Sequence, residues 1–242
     1  MRYGFFSDVH ANLEALKEVV ADFKKEKLDR IFFLGDVVGY GPNPNECASI
    51  IEEIAEVKLM GNHDYAALGL VETNLFNPYA QKAMQWTKSV LNEKSMKILS
   101  GFSMDHRVDR FYLVHSTPKE PQEWNYIFDL DDAEENFNFF KKQTCLIGHS
   151  HYPTIIKKHK DRHCVLHDKP WIEIEDEFRY IVNIGSVGQP RDGSNKACYL
   201  IYDVKQKRAA LKRLSYDYKK TQAKMGKRGL PPFLIERLAI GR

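Results

Sequence analysis

Tyr3-Gly4-Phe5-Phe6-Ser7-Asp8-Val9-His10 is a short apolar run that stops at an acid and an imidazole. Such a run fits a buried strand, and Ser7-Asp8 ends it. The same design repeats twice downstream. Arg30-Ile31-Phe32-Phe33-Leu34 runs into Gly35-Asp36, and Val57-Lys58-Leu59-Met60 runs into Gly61-Asn62-His63-Asp64. Between the first two runs, Leu13, Leu16, Val19, Val20 and Phe23 recur at helical spacing within 11–27, and a second helix fits 45–55. Strand, helix, strand, helix, strand predicts a parallel sheet wrapped by helices, with functional groups beyond the carboxyl ends of its strands.

Residues 65–101 break this rhythm. They carry no strand-like run and read as helices over 64–69, 78–91 and 93–99, an insertion placed as a lid beside the strand ends. Strands return at 103–108 and 110–115, a helix fits 131–142, and Cys145-Leu146-Ile147-Gly148 is a strand again. From Thr154 onward the texture is β, at 154–158, 163–167, 178–184, 198–203 and 209–214. The expected fold is α/β: two packed mixed β-sheets flanked by helices, in one domain over 1–242. The insertion spans about 65–101 and a helical tail about 216–242, its Pro231-Pro232 pair fitting a helix start.

Composition sets bounds. The 242 residues are 43% hydrophobic and 29% charged, enough for a sizeable core. Lys plus Arg is 36 against 33 acids, a net charge of +3, which argues against a nucleic-acid partner. Cys47, Cys145, Cys164 and Cys198 form no CxxC pair and read as reduced thiols. With no apolar run of membrane length, the expected setting is cytoplasmic.

Five strand ends converge on ionisable groups: Asp8-Val9-His10, Gly35-Asp36, Gly61-Asn62-His63-Asp64, Val114-His115-Ser116 and Gly148-His149-Ser150-His151. A lone histidine or a lone Gly-Asp would be an ordinary polar turn. Together they need a partner, because buried charges do not stand alone. Carboxylates and imidazoles without thiolate favour transition ions such as Mn, Fe, Zn, Co or Ni over Cu(I) or an iron–sulfur cluster. Two such ions roughly 3.5–4 Å apart share a carboxylate and serve in-line attack on phosphorus.

These elements, in this order over 8–151, resemble the signature of the calcineurin-like metallophosphoesterases. Gly39-Tyr40-Gly41-Pro42-Asn43-Pro44, Leu113-Val114-His115-Ser116-Thr117-Pro118, Gly185-Ser186-Val187-Gly188-Gln189-Pro190-Arg191 and the closing segment 229–238 resemble the family's small bacterial and archaeal phosphodiesterase branch. The resemblance implies two metal ions, with Asp8, His10 and His151 on the first, Asn62, His115 and His149 on the second, and Asp36 bridging. It implies a metal-bridging hydroxide as nucleophile and His63 as the proton donor to the leaving oxygen. The expected enzyme is a metal-dependent phosphoesterase hydrolysing phosphodiester or phosphoanhydride bonds of small substrates, nucleotides and dinucleoside polyphosphates among them. A phosphomonoesterase and a non-catalytic metal-binding scaffold are the alternatives. Asn183-Ile184-Gly185-Ser186 departs from the family's Asn-Pro-Gly-Ser, which touches loop rigidity and no metal ligand.

Four assignments have two readings each. Asp64 orients His63 or caps the helix that follows. Asn12 touches a substrate phosphate or caps the first helix. Arg191 clamps phosphate with its planar fork or is a turn residue beside Pro190. The aromatics Tyr65, Phe76, Tyr79 and Trp86 offer a surface to a base or fill the insertion's own core. His159, His163 and His167 repeat every four residues, but the Lys and Asp between them point to a hairpin around Asp161. The sequence leaves the oligomeric state open.

Overall fold

In the computed structural model, which describes residues 1–73 and 76–242, alternate side chains of each central strand enter different cores. In β1 (Arg2–Phe6), Tyr3 and Phe5 face one layer and Phe6 the other; β2 (Arg30–Phe33) splits Phe32 and Phe33 the same way. In β5 (Phe111–Val114), Phe111 and Leu113 meet Phe5 and Phe32, while Tyr112 and Val114 turn outward. A period of two with both faces apolar is what a sheet covered on both sides requires.

The first sheet adds β3 (Val57–Lys58), β11 (Ala197–Asp203), β12 (Arg208–Leu214) and β9 (Trp171–Glu173) in the order β3-β2-β1-β11-β12-β9. The second contains β4 (Asp105–Val108), β6 (Thr144–Ile147), β10 (Phe178–Asn183), β7 (Thr154–His159) and β8 (Val165–His167), in the order β4-β5-β6-β10-β7-β8. Both sheets are mixed: β1, β2 and β3 run parallel, as do β5, β6 and β10, and the remaining pairs are antiparallel. The expected pair of mixed sheets is the observed one.

Helices α1 (Leu13–Lys25) and α2 (Pro44–Ile54) cover the outer face of the first sheet with Leu16, Val19, Phe23 and Ile51. On the second sheet α6 (Leu130–Asn136) packs Ala133, with Phe137 just beyond it. This helix is shorter than the expected 131–142, and just beyond it the Arg179 guanidinium donates to the carbonyls of Phe137 and Phe140. Strand β9 has only three residues at a sheet edge, too short for a periodic signal, and was not expected.

The insertion folds as α3 (Asn62–Ala67), α4 (Pro78–Val90) and α5 (Glu93–Ser100); Asn74 and Leu75 lie outside the described residues. The tail forms α7 (Tyr218–Lys227) and α8 (Pro232–Ile240). Insertion and tail share one apolar cluster, in which Ala80 and Ala83 of α4 meet Met225, Leu230, Leu234 and Leu238 around Tyr40. The tail is also tied to α1, since Thr221 Oγ1 donates to Asn12 Oδ1 at 3.0 Å and Lys224 Nζ donates to Glu14 Oε1 at 2.6 Å. The histidine repeat lies on the β7–β8 hairpin, whose turn contains Asp161. All four cysteines are buried free thiols. Among the described residues no helix is long and apolar enough to cross a membrane.

Candidate metal centre

Parallel strands deliver their carboxyl ends to one edge. The loops after β1, β2, β3, β5, β6 and β10 meet there, around a cavity of about 300 Å³ lined by Asp36, Asn62, His63, His149, His151 and Arg191, among others. The loops clamp one another through backbone bonds, Asp8 N to Gly35 O at 2.9 Å and His10 N to Asp36 O at 3.0 Å. Five of the expected ligands carry left-handed backbone: Asp8, His10, Asp36, His149 and His151, with φ of 54°, 47°, 61°, 66° and 61°. That conformation costs a non-glycine residue roughly 1–2 kcal/mol and persists where its surroundings over-determine it. Two glycines make room: a Cβ at Gly61 would strike the Asp36 carboxylate, and one at Gly39 (φ +87°) would strike the His63 ring.

The histidine hydrogen bonds fix which nitrogen faces inward. His10 Nδ1 donates to Val38 O at 3.0 Å and His151 Nδ1 donates to Gln189 O at 2.6 Å. Both Nε2 atoms therefore present lone pairs, yet they face each other at 2.9 Å. Two acceptors at that distance need a cation between or beside them. His115 Nδ1 donates to Leu34 O at 2.7 Å, leaving its buried Nε2 without a partner, and Asn62 Oδ1 is buried and equally unpartnered. His149 is turned the other way: its Nε2 donates to Trp124 O at 2.8 Å, which points Nδ1 inward. Carbonyl acceptors on the outer nitrogens are the usual support for metal-binding imidazoles. Among the described residues the donor atoms gather as Asp8–His10–His151, His10–Asp36–His63 and Asp36–His115–His149, each group within 4.8 Å, and each could hold a metal ion.

Burial disfavours charge throughout the site. It opposes ionisation of Asp8 and Asp36, but His151 beside the first and His115 beside the second hold both carboxyls below the usual range. Burial pushes His63 down to about 4 and His149 to about 3, and keeps His10 and His151 low as well. His115 is the exception: burial opposes its charge, but Asp36 and Asp8 raise it to about 9. Ionised carboxylates with neutral imidazoles are a transition-metal donor set, and His115 would release its proton when a metal arrives.

The structure separates the double readings. The Asp64 carboxylate accepts from Asp36 N (2.8 Å), Val37 N (2.9 Å), Val38 N (3.2 Å) and Gly61 N (3.1 Å). It makes no hydrogen bond to the His63 ring, whose Nδ1 is buried without a partner. Burial and Asp36 push Asp64 up to about 7, against those amides. These bonds pin the Asp36 loop and match the capping reading of Asp64. Asn12 also matches its capping reading: its Oδ1 accepts from Ala15 N as a helix cap and from Thr221, and its Nδ2 donates to Gly188 O at 2.8 Å. These bonds account for both amide atoms as a helix cap and a loop tie, with one Nδ2 hydrogen left over.

Arg191 does line the cavity. Its Nη2 donates to Gln189 Oε1 at 3.0 Å, and its buried Nε has no partner. Of the four insertion aromatics only Phe76 lines the cavity; Tyr79 stacks on Phe233, Tyr65 packs on Trp124 and Trp86 packs with the tail. Sequence reasoning missed Tyr40, Trp124 and Tyr126, which also line it. The signal available for the last two was an aromatic at every second position, Trp124, Tyr126 and Phe128.

Comparison with known proteins agrees with this geometry. Residues 1–207 match the calcineurin-like phosphoesterase superfamily domain. The chain is 39% identical over 240 residues to an uncharacterized protein of Methanocaldococcus jannaschii, covering 98% of this chain and 96% of that one. It superposes on a metallophosphoesterase from Sphaerobacter thermophilus with a TM-score of 0.87 at 36% identity, covering 100% and 99% of the two chains. A hypothetical protein from Pyrococcus horikoshii shares the fold at 15% identity, with a TM-score of 0.80 over 100% and 98%.

Proposed function

The chain belongs to the calcineurin-like phosphoesterase superfamily, and from that premise we propose that it is a binuclear metal-dependent phosphodiesterase, acting as one domain over 1–242. Its substrates are small phosphodiesters or phosphoanhydrides, nucleotides and dinucleoside polyphosphates among them. One observation carries the binuclear reading: Asp36 Oδ2 lies 3.6 Å from His10 Nε2 and 3.4 Å from His115 Nε2. A carboxylate standing between two imidazole sets is what a shared ligand of a metal pair requires. Asp8, His10 and His151 would join Asp36 on one ion; Asn62, His115 and His149 would join it on the other. When bound, such a pair activates a water and neutralises the phosphoryl oxygens.

The chain's own residues supply the rest. Arg191 offers its free Nε–H to a phosphate oxygen. The His63 ring is held between Tyr40 and Phe76, at centroid distances of 4.5 and 4.9 Å. Burial keeps that ring neutral at pH 7, and a phosphate anion beside it would favour the protonated form that donates to the leaving oxygen. Asp64 keeps Asp36 in place, and Tyr40, Phe76 and Trp124 wall the cavity.

The test is hydrolysis of bis(p-nitrophenyl) phosphate beside p-nitrophenyl phosphate by chelator-stripped protein with Mn²⁺ added back. Metal-restored turnover that is faster on the diester is expected. Faster turnover of the monoester would make the protein a phosphatase. Silence on both, with metal bound, would leave a scaffold or an enzyme that demands a nucleotide substrate.

A further inference from the structure

A second, larger groove of about 1,020 Å³ adjoins the metal-site cavity, and Arg191 lines both. Phe128, Tyr152 and Leu166 line this groove and are 78%, 56% and 61% exposed, an unusual amount of apolar surface for one place. An aromatic stack joins the two spaces. Tyr126 lies flat on His149, with centroids 4.1 Å apart and planes 19° apart, and Phe128 lies flat on Tyr126 at 4.8 Å and 16°. Tyr126 lines the first cavity and Phe128 the second. The stack therefore starts on a candidate metal ligand and ends in an open aromatic face.

A phosphodiester has two substituents on phosphorus, and this site has two directions to place them. His63 and Phe76 stand on the insertion side, where the leaving oxygen takes its proton. The groove beyond Arg191 is the other direction, with a cation at its mouth and flat apolar faces behind. We infer that this groove holds the group that stays on phosphorus, and that the Tyr126–Phe128 stack selects a flat aromatic one such as a nucleoside base. The reaction balances as hydrolysis: the water oxygen bonds to phosphorus, the leaving oxygen departs with a proton, and the retained group leaves as its monoester. This inference rests on the phosphoesterase reading and names the substrate class of the same site.

Two esters with one leaving group test it: thymidine 5′-(p-nitrophenyl phosphate) and methyl p-nitrophenyl phosphate, both releasing p-nitrophenol. The expected wild-type preference in kcat/KM is for the thymidine ester, by about tenfold or more, the scale of one base–aromatic stack. Phe128→Ala is expected to lower the thymidine-to-methyl ratio about tenfold, mainly through KM, and Phe128→Tyr to restore it. Phe128 is exposed, so neither change threatens folding. Equal use of both esters, or a ratio unmoved by Phe128→Ala, would overturn the inference while leaving the phosphodiesterase reading intact. If no ester is turned over, that reading fails instead. Equilibrium dialysis of the phenyl ester of thymidine 5′-phosphate then decides: weaker binding to Phe128→Ala supports the stack, and equal binding overturns it.

Discussion

The floor of the cavity hangs from left-handed backbone at Asp8, His10, Asp36, His149 and His151, whereas its helical wall, where α4 meets α7 and α8, is plain apolar packing of Ala80, Met225, Leu234 and Leu238. The floor also holds unpartnered buried atoms, Asn62 Oδ1, His63 Nδ1 and His115 Nε2. A region built for stability alone would avoid both features. The wall shows what such a region looks like, with Ala80, Ala83, Met225, Leu230, Leu234 and Leu238 packed around Tyr40. The contrast supports the proposal that chemistry belongs to the floor and support to the wall.

Four substitutions test this contrast. Removing the shared carboxylate, Asp36→Ala, is the largest. It should abolish both metal binding and turnover, well beyond the 10–100-fold that outer-shell losses cost, while the far-UV spectrum stays native. Metal analysis after gel filtration checks it, and retention of both ions would remove Asp36 from its bridging role. Asp64→Ala comes next. Four backbone amides lose their acceptor, which should cost at least about 4 kcal/mol in guanidinium unfolding, taking the low end of about 1–3 kcal/mol per orphaned group. Metal affinity should fall with stability, because Asp64 holds the Asp36 loop.

Leu234→Ala probes the wall. A buried leucine truncated in a packed cluster should cost about 3 kcal/mol, with metal affinity measured at low denaturant unchanged. A drop in affinity would show that the wall shapes the floor. Smallest is Thr221→Val, which removes the tie from α7 to the Asn12 cap. About 1 kcal/mol in the same unfolding experiment is expected, with kcat unaltered. A large fall in kcat would return Asn12 to the reaction.

The ligands were legible because each stands where an apolar strand breaks off into Asp, Asn or His, a change in polarity that one sequence displays locally. The two sheets were legible for the same reason, through short apolar runs that end in polar turns. Asp64 and Asn12 were ambiguous because their partners, the amides of Asp36 to Val38 and the Gly188 carbonyl with Thr221, lie far along the chain. No local pattern records such bonds. The chain just past α6 likewise has a distant partner, Arg179, which donates to the Phe137 carbonyl from more than forty residues downstream. The joint cluster of insertion and tail needed tertiary contact to be seen. The Trp124–Phe128 lip alternates like a strand but is a loop, turned by left-handed backbone at Glu120 and Trp124.

Under the binuclear proposal Asp36 serves two ions at once. Electron paramagnetic resonance of chelator-stripped protein titrated with Mn²⁺ reads this directly. A spin-coupled multiline signal that saturates at two ions per chain and vanishes in Asp36→Ala is the predicted result. An isolated six-line Mn²⁺ signal saturating at one ion, or two uncoupled ions that survive Asp36→Ala, would contradict it.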